Sequence, residues 1–266
     1  MNDRYLAFAN SGAGHWLTGK LGLPQPEPLR REPGRLSRGA IVGTGARGRM
    51  GAAIGEALHS LGIPARPTEK PDALLFDATG IARAEDSQAL HAFFHANIRS
   101  LQAQGRILVF ATPPEEADGI EAAAIQRGID AFVRSLAKES RKAATVQTLY
   151  VSKGAEGAIA STLAFFLSDR SGYVSGQPVH LRQPVAATPT ASARTVVVTG
   201  ASRGIGLAIA ESFAAAGERL VLVDVPALEA ELAGVAARLG GDGLALDVTA
   251  ADAGARLVAD ARTRGG

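Results

Sequence analysis

The run from Arg194 to Gly206, Arg-Thr-Val-Val-Val-Thr-Gly-Ala-Ser-Arg-Gly-Ile-Gly, constrains the fold more than any other stretch of this chain. Thr195 to Val198 are β-branched throughout, the mark of a strand buried on both faces in a parallel sheet. The strand breaks at once into Gly200, Gly204 and Gly206, and a helical pattern follows. A strand, a glycine turn and a helix in that order suit a dinucleotide pyrophosphate. The glycines let the backbone come close, and free N–H groups at the helix start face the negative charge. This turn begins about three-quarters of the way along the 266 residues.

The chain before it alternates in the same manner. Short apolar runs at Ala40 to Val42, Ala73 to Phe76, Arg106 to Phe110, Val146 to Val151 and Pro178 to Leu181 predict strands. Helical spacing fills the intervals at 47–61, 89–101, 119–141 and 158–167. Such alternation argues for a parallel sheet covered on both faces. Residues 1–38 are expected to form an arm that buries Trp16, interrupted by Pro24, Pro26, Pro28 and Pro33. Residues 39–181 form a first domain, the small and proline-punctuated stretch 182–193 a linker, and 194–266 a second domain.

In the second domain, Ile205, Ile209 and Phe213 share one helix face, and Gly217 is placed to end that helix. A strand at 219–223 ends in Asp224, a helix runs from Pro226 to Leu239, and a strand at 244–246 ends in Asp247-Val248. Thr249 with Asp252 resembles a capping pair for a last helix. Three strands make only half of a doubly wound sheet and leave an apolar edge unpaired, so a longer natural chain is expected.

Composition excludes several classes of function. The chain has no cysteine, which removes disulfides and thiolate catalysis. Its formal net charge of +2 offers no broad field for nucleic acid. His15, His59, His91, His95 and His180 form no grouping with carboxylates that would hold a metal. No leader-type or membrane-spanning apolar run occurs, so a cytoplasmic protein is expected. Arg134, Lys138, Arg141 and Lys142 read as a solvated basic helix end, with the docking of an acidic carrier protein as the alternative.

With Thr199-Gly200-Ala201-Ser202-Arg203-Gly204-Ile205-Gly206 and Asp224 eighteen residues beyond, the second domain resembles the short-chain dehydrogenase/reductase family. The resemblance implies NAD(P)H bound by Gly200, Ser202, Arg203, Gly204, Ile205, Gly206, Asp224, Asp247 and Val248. Asp224 is placed to accept from the adenosine ribose hydroxyls and to repel a 2′-phosphate, which favours NADH. Arg203 pulls toward NADP, but a flexible surface arginine gains less than a carboxylate facing phosphate costs. The family's catalytic serine, tyrosine and lysine would follow residue 266 in family order, so no catalytic residue is assigned and the chain alone is expected to be inactive.

The first domain is similar to a degenerate copy. Gly43-Thr44-Gly45-Ala46-Arg47-Gly48 is a literal GxGxxG, yet Pro64 to Glu69 is a proline-broken loop where a ribose-binding acid would be needed. Whether Gly43, Gly45 and Gly48 bind anything stays open at this level. Phe132 to Glu139 and Phe166 to Asp169 resemble later family segments, and this frame puts the tyrosine–lysine pair near Ala122 and Gln126, which cannot do proton chemistry. With Asp77-Ala78-Thr79-Gly80-Ile81 and Leu21 to Glu27, the whole resembles the high-molecular-weight 3-oxoacyl-[acyl-carrier-protein] reductases. These join a flavodoxin-like, degenerate Rossmann domain to a Rossmann reductase domain. The implied activity of the intact protein is NAD(P)H-dependent reduction of 3-oxoacyl thioesters on acyl carrier protein or coenzyme A, in a homodimer with neither nucleic acid nor membrane as partner. Reduction of another carbonyl substrate, or a non-catalytic dimerisation or scaffold role, are the alternatives.

Overall fold

The computed structural model describes residues 4–23, 25, 36–183 and 195–263. The chain forms two compact units, Met1–Val185 and Ala186–Gly266. The prolines of the expected arm lie outside the described residues, as does the expected linker apart from Arg182 and Gln183.

The chain opens on a helical hairpin, α1 (Arg4–Ala9) and α2 (Gly12–Lys20), turned by Ser11, whose Oγ accepts from the Gly14 N–H at 3.1 Å. The two backbones cross so closely that a Cβ on Gly14 would lie 1.8 Å from the Phe8 carbonyl oxygen. Only small side chains fit that crossing, and Ala9, Gly14 and Thr18 are the buried ones. Trp16 therefore points outward, 62% exposed, with the Lys20 ammonium 4.6 Å from its ring centroid. The expectation that Trp16 would be buried is corrected.

Five parallel strands follow in the order β1 (Ala40–Thr44), β2 (Ala73–Asp77), β3 (Arg106–Ala111), β4 (Thr145–Val151) and β5 (Gln177–Leu181). Strands β2, β3 and β4 are buried along their whole length because helices cover both faces. On one face α3 (Gly51–Ser60) and α6 (Ala160–Phe166) pack Met50, Ile54, Leu58, Ile159 and Leu163 against Leu75, Leu108, Phe110 and Leu149. On the other, α4 (Ser87–Asn97) and α5 (Ile120–Glu139) pack Leu90, Phe94, Ile129 and Val133 against Leu74, Phe76, Ile107, Val109 and Tyr150. The α6 crossover from β4 to β5 therefore has the opposite hand from the α4 and α5 crossovers, which run in the same direction beneath the other face.

At the outer edge of β1 the chain makes one further pairing. Ala65 forms a parallel bridge with Ala40; the Ala40 N–H donates to Pro64 O at 2.8 Å and the Arg66 N–H to Ala40 O at 3.1 Å. Pro67 and Pro71 then carry the chain back across to β2 without a helix.

The second unit is a three-stranded parallel sheet, β6 (Thr195–Thr199), β7 (Arg219–Asp224) and β8 (Asp242–Ala245) in that order. Its helices are α7 (Gly204–Ala215), α8 (Glu229–Leu239) and α9 (Ala253–Thr263). Gly240, at φ 68°, ends α8. On α7 the small residue Ala210 is buried, while Ile205, Ile209 and Phe213 are exposed. The expected pairing of Thr249 with Asp252 does not form. Asp247 Oδ1 instead accepts the Thr249 hydroxyl at 2.7 Å and its N–H at 2.9 Å, and α9 starts only at Ala253. Among the described residues no helix is long and apolar enough to cross a membrane.

Candidate functional site

In the second unit the expected site residues meet at the carboxyl ends of β6, β7 and β8. Gly200 and Gly204 take φ of 66° and 61°, left-handed values that bring the chain sharply from β6 into α7. Gly206 is needed for space instead: a Cβ there would lie 2.0 Å from the Gly200 carbonyl oxygen. The N–H groups of Gly204, Ile205 and Gly206 bond to no described residue. They are the open donors of the first turn of α7, where the helix dipole also favours an anion.

Asp224, half-buried at the end of β7, lies directly against this turn. Its Oδ2 accepts the Ser202 N–H at 3.0 Å and its Oδ1 the Val225 N–H at 2.9 Å. Burial pushes the carboxyl up. The Ser202 N–H, the nearby Ser202 hydroxyl, the Val225 N–H and the Arg203 charge outweigh this and hold it below the usual 3.8. The Ser202 hydroxyl is buried yet completes no hydrogen bond of its own. Arg203 is exposed with an extended backbone, Ile205 is 82% exposed, and Val248 is 53% exposed beyond β8. Asp247 is exposed beside Val248, and the Thr249 hydroxyl and N–H lower its pKa. A glycine cradle, open amides and an ionised carboxylate fit the pyrophosphate and adenosine half of a dinucleotide.

The first unit has the same strand-to-helix turn with the opposite wiring. Counted from the strand-end threonines, Gly200, Gly204 and Gly206 correspond to Gly45, Arg49 and Gly51, not to Gly43, Gly45 and Gly48. Arg49 thus stands where the second unit has its second left-handed glycine. Its N–H donates to Thr79 Oγ1 at 3.1 Å, and the next N–H, of Met50, donates to Asp77 Oδ2 at 2.7 Å. The equivalent amides of Gly204 and Ile205 are the open ones. Asp77 is 1% exposed and supplies the anion from within the fold, also accepting the Thr79 N–H at 3.0 Å and hydroxyl at 2.6 Å.

The network continues across the strand ends. The Arg49 guanidinium pairs with Glu156 at 3.0 Å and donates to Thr112 Oγ1 at 3.3 Å and to the Val151 carbonyl. Gln126, fully buried on α5, donates to Ala78 O at 3.0 Å and Ile81 O at 2.7 Å, while its Oε1 accepts the Thr112 N–H at 2.8 Å. Ala122 is buried one turn before it. What remains is a hollow of about 210 Å³ lined by Arg47, Arg49, Thr79, Thr112, Gln126 and Lys153 among others. The residues that lock this end, Arg49, Asp77, Thr112 and Glu156, were not apparent as a group in the sequence; Arg49 at the glycine position is the signal that marks them. At the turn into α3 the amides of Arg49 and Met50, which correspond to the open ones of Gly204 and Ile205, are therefore already taken.

Glu116 closes one side of the hollow. The Ser152 hydroxyl donates to it at 2.5 Å and lowers its pKa; burial opposes, and the Lys153 N–H and the charges of Arg49 and Lys153 add to the lowering. A carboxyl held below its usual 4.5 stabilises the fold above that pH, and the contribution is lost as pH falls through the lowered value. Glu116→Gln should therefore cost stability near neutrality and cost progressively less below about pH 4.5. Urea unfolding of both proteins between pH 7 and pH 3 measures this; a pH-independent gap would show that the charge of Glu116 is irrelevant.

The matching family and the curated relatives bear on the second unit. Residues 200–266 match the family described as enoyl-(acyl carrier protein) reductase. An uncharacterized oxidoreductase of Mycobacterium bovis is 52% identical over 65 residues, 23% of this chain and 26% of the relative, and one of Mycobacterium tuberculosis matches equally. The chain thus spans about a quarter of the length of the curated relatives it matches. Among solved structures, a short-chain dehydrogenase/reductase from Serratia marcescens aligns with a TM-score of 0.43 at 11% identity, covering 56% of this chain and 98% of that one. A glucose/ribitol dehydrogenase of that family from Brucella melitensis gives 0.43 at 15% identity, over 55% of this chain and 96% of that one. Residues 200–266 are thus similar to part of an oxidoreductase.

Proposed function

We propose that the second unit binds NADH in preference to NADPH, as the cofactor half of a reductase of 3-oxoacyl thioesters carried on acyl carrier protein or coenzyme A. The observation that carries the cofactor reading is Asp224, ionised and bonded to the Ser202 N–H beside the open amides of Gly204, Ile205 and Gly206. Those amides would hold the pyrophosphate, and Asp224 would accept from the ribose hydroxyls and repel a 2′-phosphate. The dinucleotide, when bound, supplies a hydride. The matched family's description supports a substrate carried on acyl carrier protein, and it favours a second reading in which the reduced group is the enoyl double bond.

Residues 194–266 contain no tyrosine or lysine to serve as proton donor, so the reading gives this part of the chain binding and not chemistry. Oxidation of NADH with acetoacetyl- against crotonyl-thioesters, by a protein carrying both halves of the domain, separates ketone from enoyl reduction. The first unit serves as a non-catalytic module. Its description as flavodoxin-like is supported by the Ala65 bridge, which adds a strand position outside β1 and gives the 2-1-3-4-5 order with one strand more.

Binding to the 266-residue chain tests the cofactor reading. NADH should bind at least tenfold more tightly than NADPH, about 1.4 kcal/mol, and Asp224→Ala should narrow that ratio to within about threefold. Equal affinity of the unmutated chain for the two dinucleotides would remove the role given to Asp224.

A further inference from the structure

At the opposite end of the first sheet, below the amino ends of β3 and β4, lies a cavity of about 370 Å³ between the end of α4 and the end of α5. Its apolar lining is Ile98, Leu101, Leu136 and Ala144, which all belong to or pack against the core beneath α4 and α5. A second hollow of about 400 Å³ continues from it and shares Arg99, Leu101, Gln102 and Lys142. The rim of the first is charged: Arg99, Arg141 and Lys142 against the single carboxylate of Glu139. None of the three cations forms a salt bridge with a described residue. Farther along, Lys70 and Glu69 offset each other.

The wall is built stiffly. Of the four described non-glycine residues with positive φ, three are here: Gln104 at 58°, Lys142 at 57° and Ala143 at 53°. The Gln104 N–H donates to the Lys142 carbonyl at 2.7 Å and ties the two left-handed turns together. Such backbone is strained and persists where its surroundings fix it. The cavity size is that of a small-molecule site.

We propose that this groove binds a linear aliphatic chain with an anionic head, the tail laid on Ile98, Leu101 and Leu136 and the head held by Arg99, Arg141 and Lys142. The apolar floor supplies burial, and three cations with no salt-bridge partner among the described residues select the sign of the head. The site is separate from the turn at Gly200 and does not depend on the dinucleotide reading.

Calorimetric titration of the 266-residue chain tests this with decanoate below its micellar concentration, against decyltrimethylammonium and decyl maltoside. Decanoate should bind at one site per chain, at least tenfold more tightly than the cationic amphiphile. Arg99→Glu with Arg141→Glu should weaken it at least tenfold, and so should Leu136→Trp, which fills the floor without altering charge. Equal binding of all three amphiphiles would overturn the proposal, as would affinity for decanoate unchanged in both variants. Sedimentation run in parallel gives the other occupant: a dimer of the unmutated chain that Leu136→Trp dissociates would show a second copy in the groove and would equally overturn it.

Discussion

Asp77→Ala should destabilise the first unit by about 4 kcal/mol, lowering its melting temperature by on the order of 8–16 °C. The carboxylate is almost wholly buried and accepts three hydrogen bonds, from the Met50 N–H, the Thr79 N–H and the Thr79 hydroxyl. Alanine would leave these donors without a partner and remove the charge that faces the start of α3, each buried orphan costing about 1–3 kcal/mol. Asp77→Asn should cost roughly half as much, because the amide keeps one accepting oxygen but turns an N–H toward the remaining donors. The near-ultraviolet circular dichroism of tyrosine and tryptophan reports this unit alone, since residues 186–266 contain neither. A loss below about 1 kcal/mol would mean that Asp77 is not the anchor of the turn.

Gly206→Ala should weaken NADH binding to the chain at least tenfold, about 1.4 kcal/mol. Its new Cβ would meet the Gly200 carbonyl at 2.0 Å and the Gly200 carbonyl carbon at 2.6 Å, atoms of the backbone that cannot rotate away. The turn must open, and the amides of Gly204 to Gly206 lose their common direction. Gly51→Ala is the matched control at the equivalent place in the first unit, where a Cβ has nothing within 4 Å. It should leave NADH affinity unchanged. If the Gly206 variant binds as tightly as the unmutated chain and the Gly51 variant does not, the dinucleotide sits on the first unit and the assignment is reversed.

The alternation of strands and helices was legible because burial on both faces demands runs such as Ala73 to Phe76 and Val146 to Val151 that few polar positions interrupt. The placing of Gly200 to Gly206 and Asp224 at adjacent strand ends followed from the same pattern. Other features were hidden for definable reasons. Glycine spacing alone put the first turn at Gly43, Gly45 and Gly48, whereas the strand end sets the count and brings Arg49 to the decisive position. Apolar spacing marked α7 as a helix without telling which residues it buries: Ala210 faces the sheet because the helix lies close, and the larger Ile205, Ile209 and Phe213 face away. Trp16 points outward for a similar reason, since the close crossing beside Gly14 admits only small groups. Long-range partners such as Arg49 with Glu156, 107 residues apart, leave no mark in local pattern at all.

The single bridge at Ala65 has a consequence for how this chain tolerates change in length. Arg66 to Lys70 join that bridge to β2 with mostly exposed residues, so they form a seam at which material can be added with little penalty. Doubling such a connection costs only about 0.6 kcal/mol of closure entropy. An insertion that lengthened the bridge into a strand and supplied a returning helix would extend the sheet outward from β1 and leave the locked strand ends untouched. Deletion is the unforgiving direction. Removing even a few residues between Ala65 and Pro71 would pull Ala65 from Ala40 and uncover the outer edge of β1.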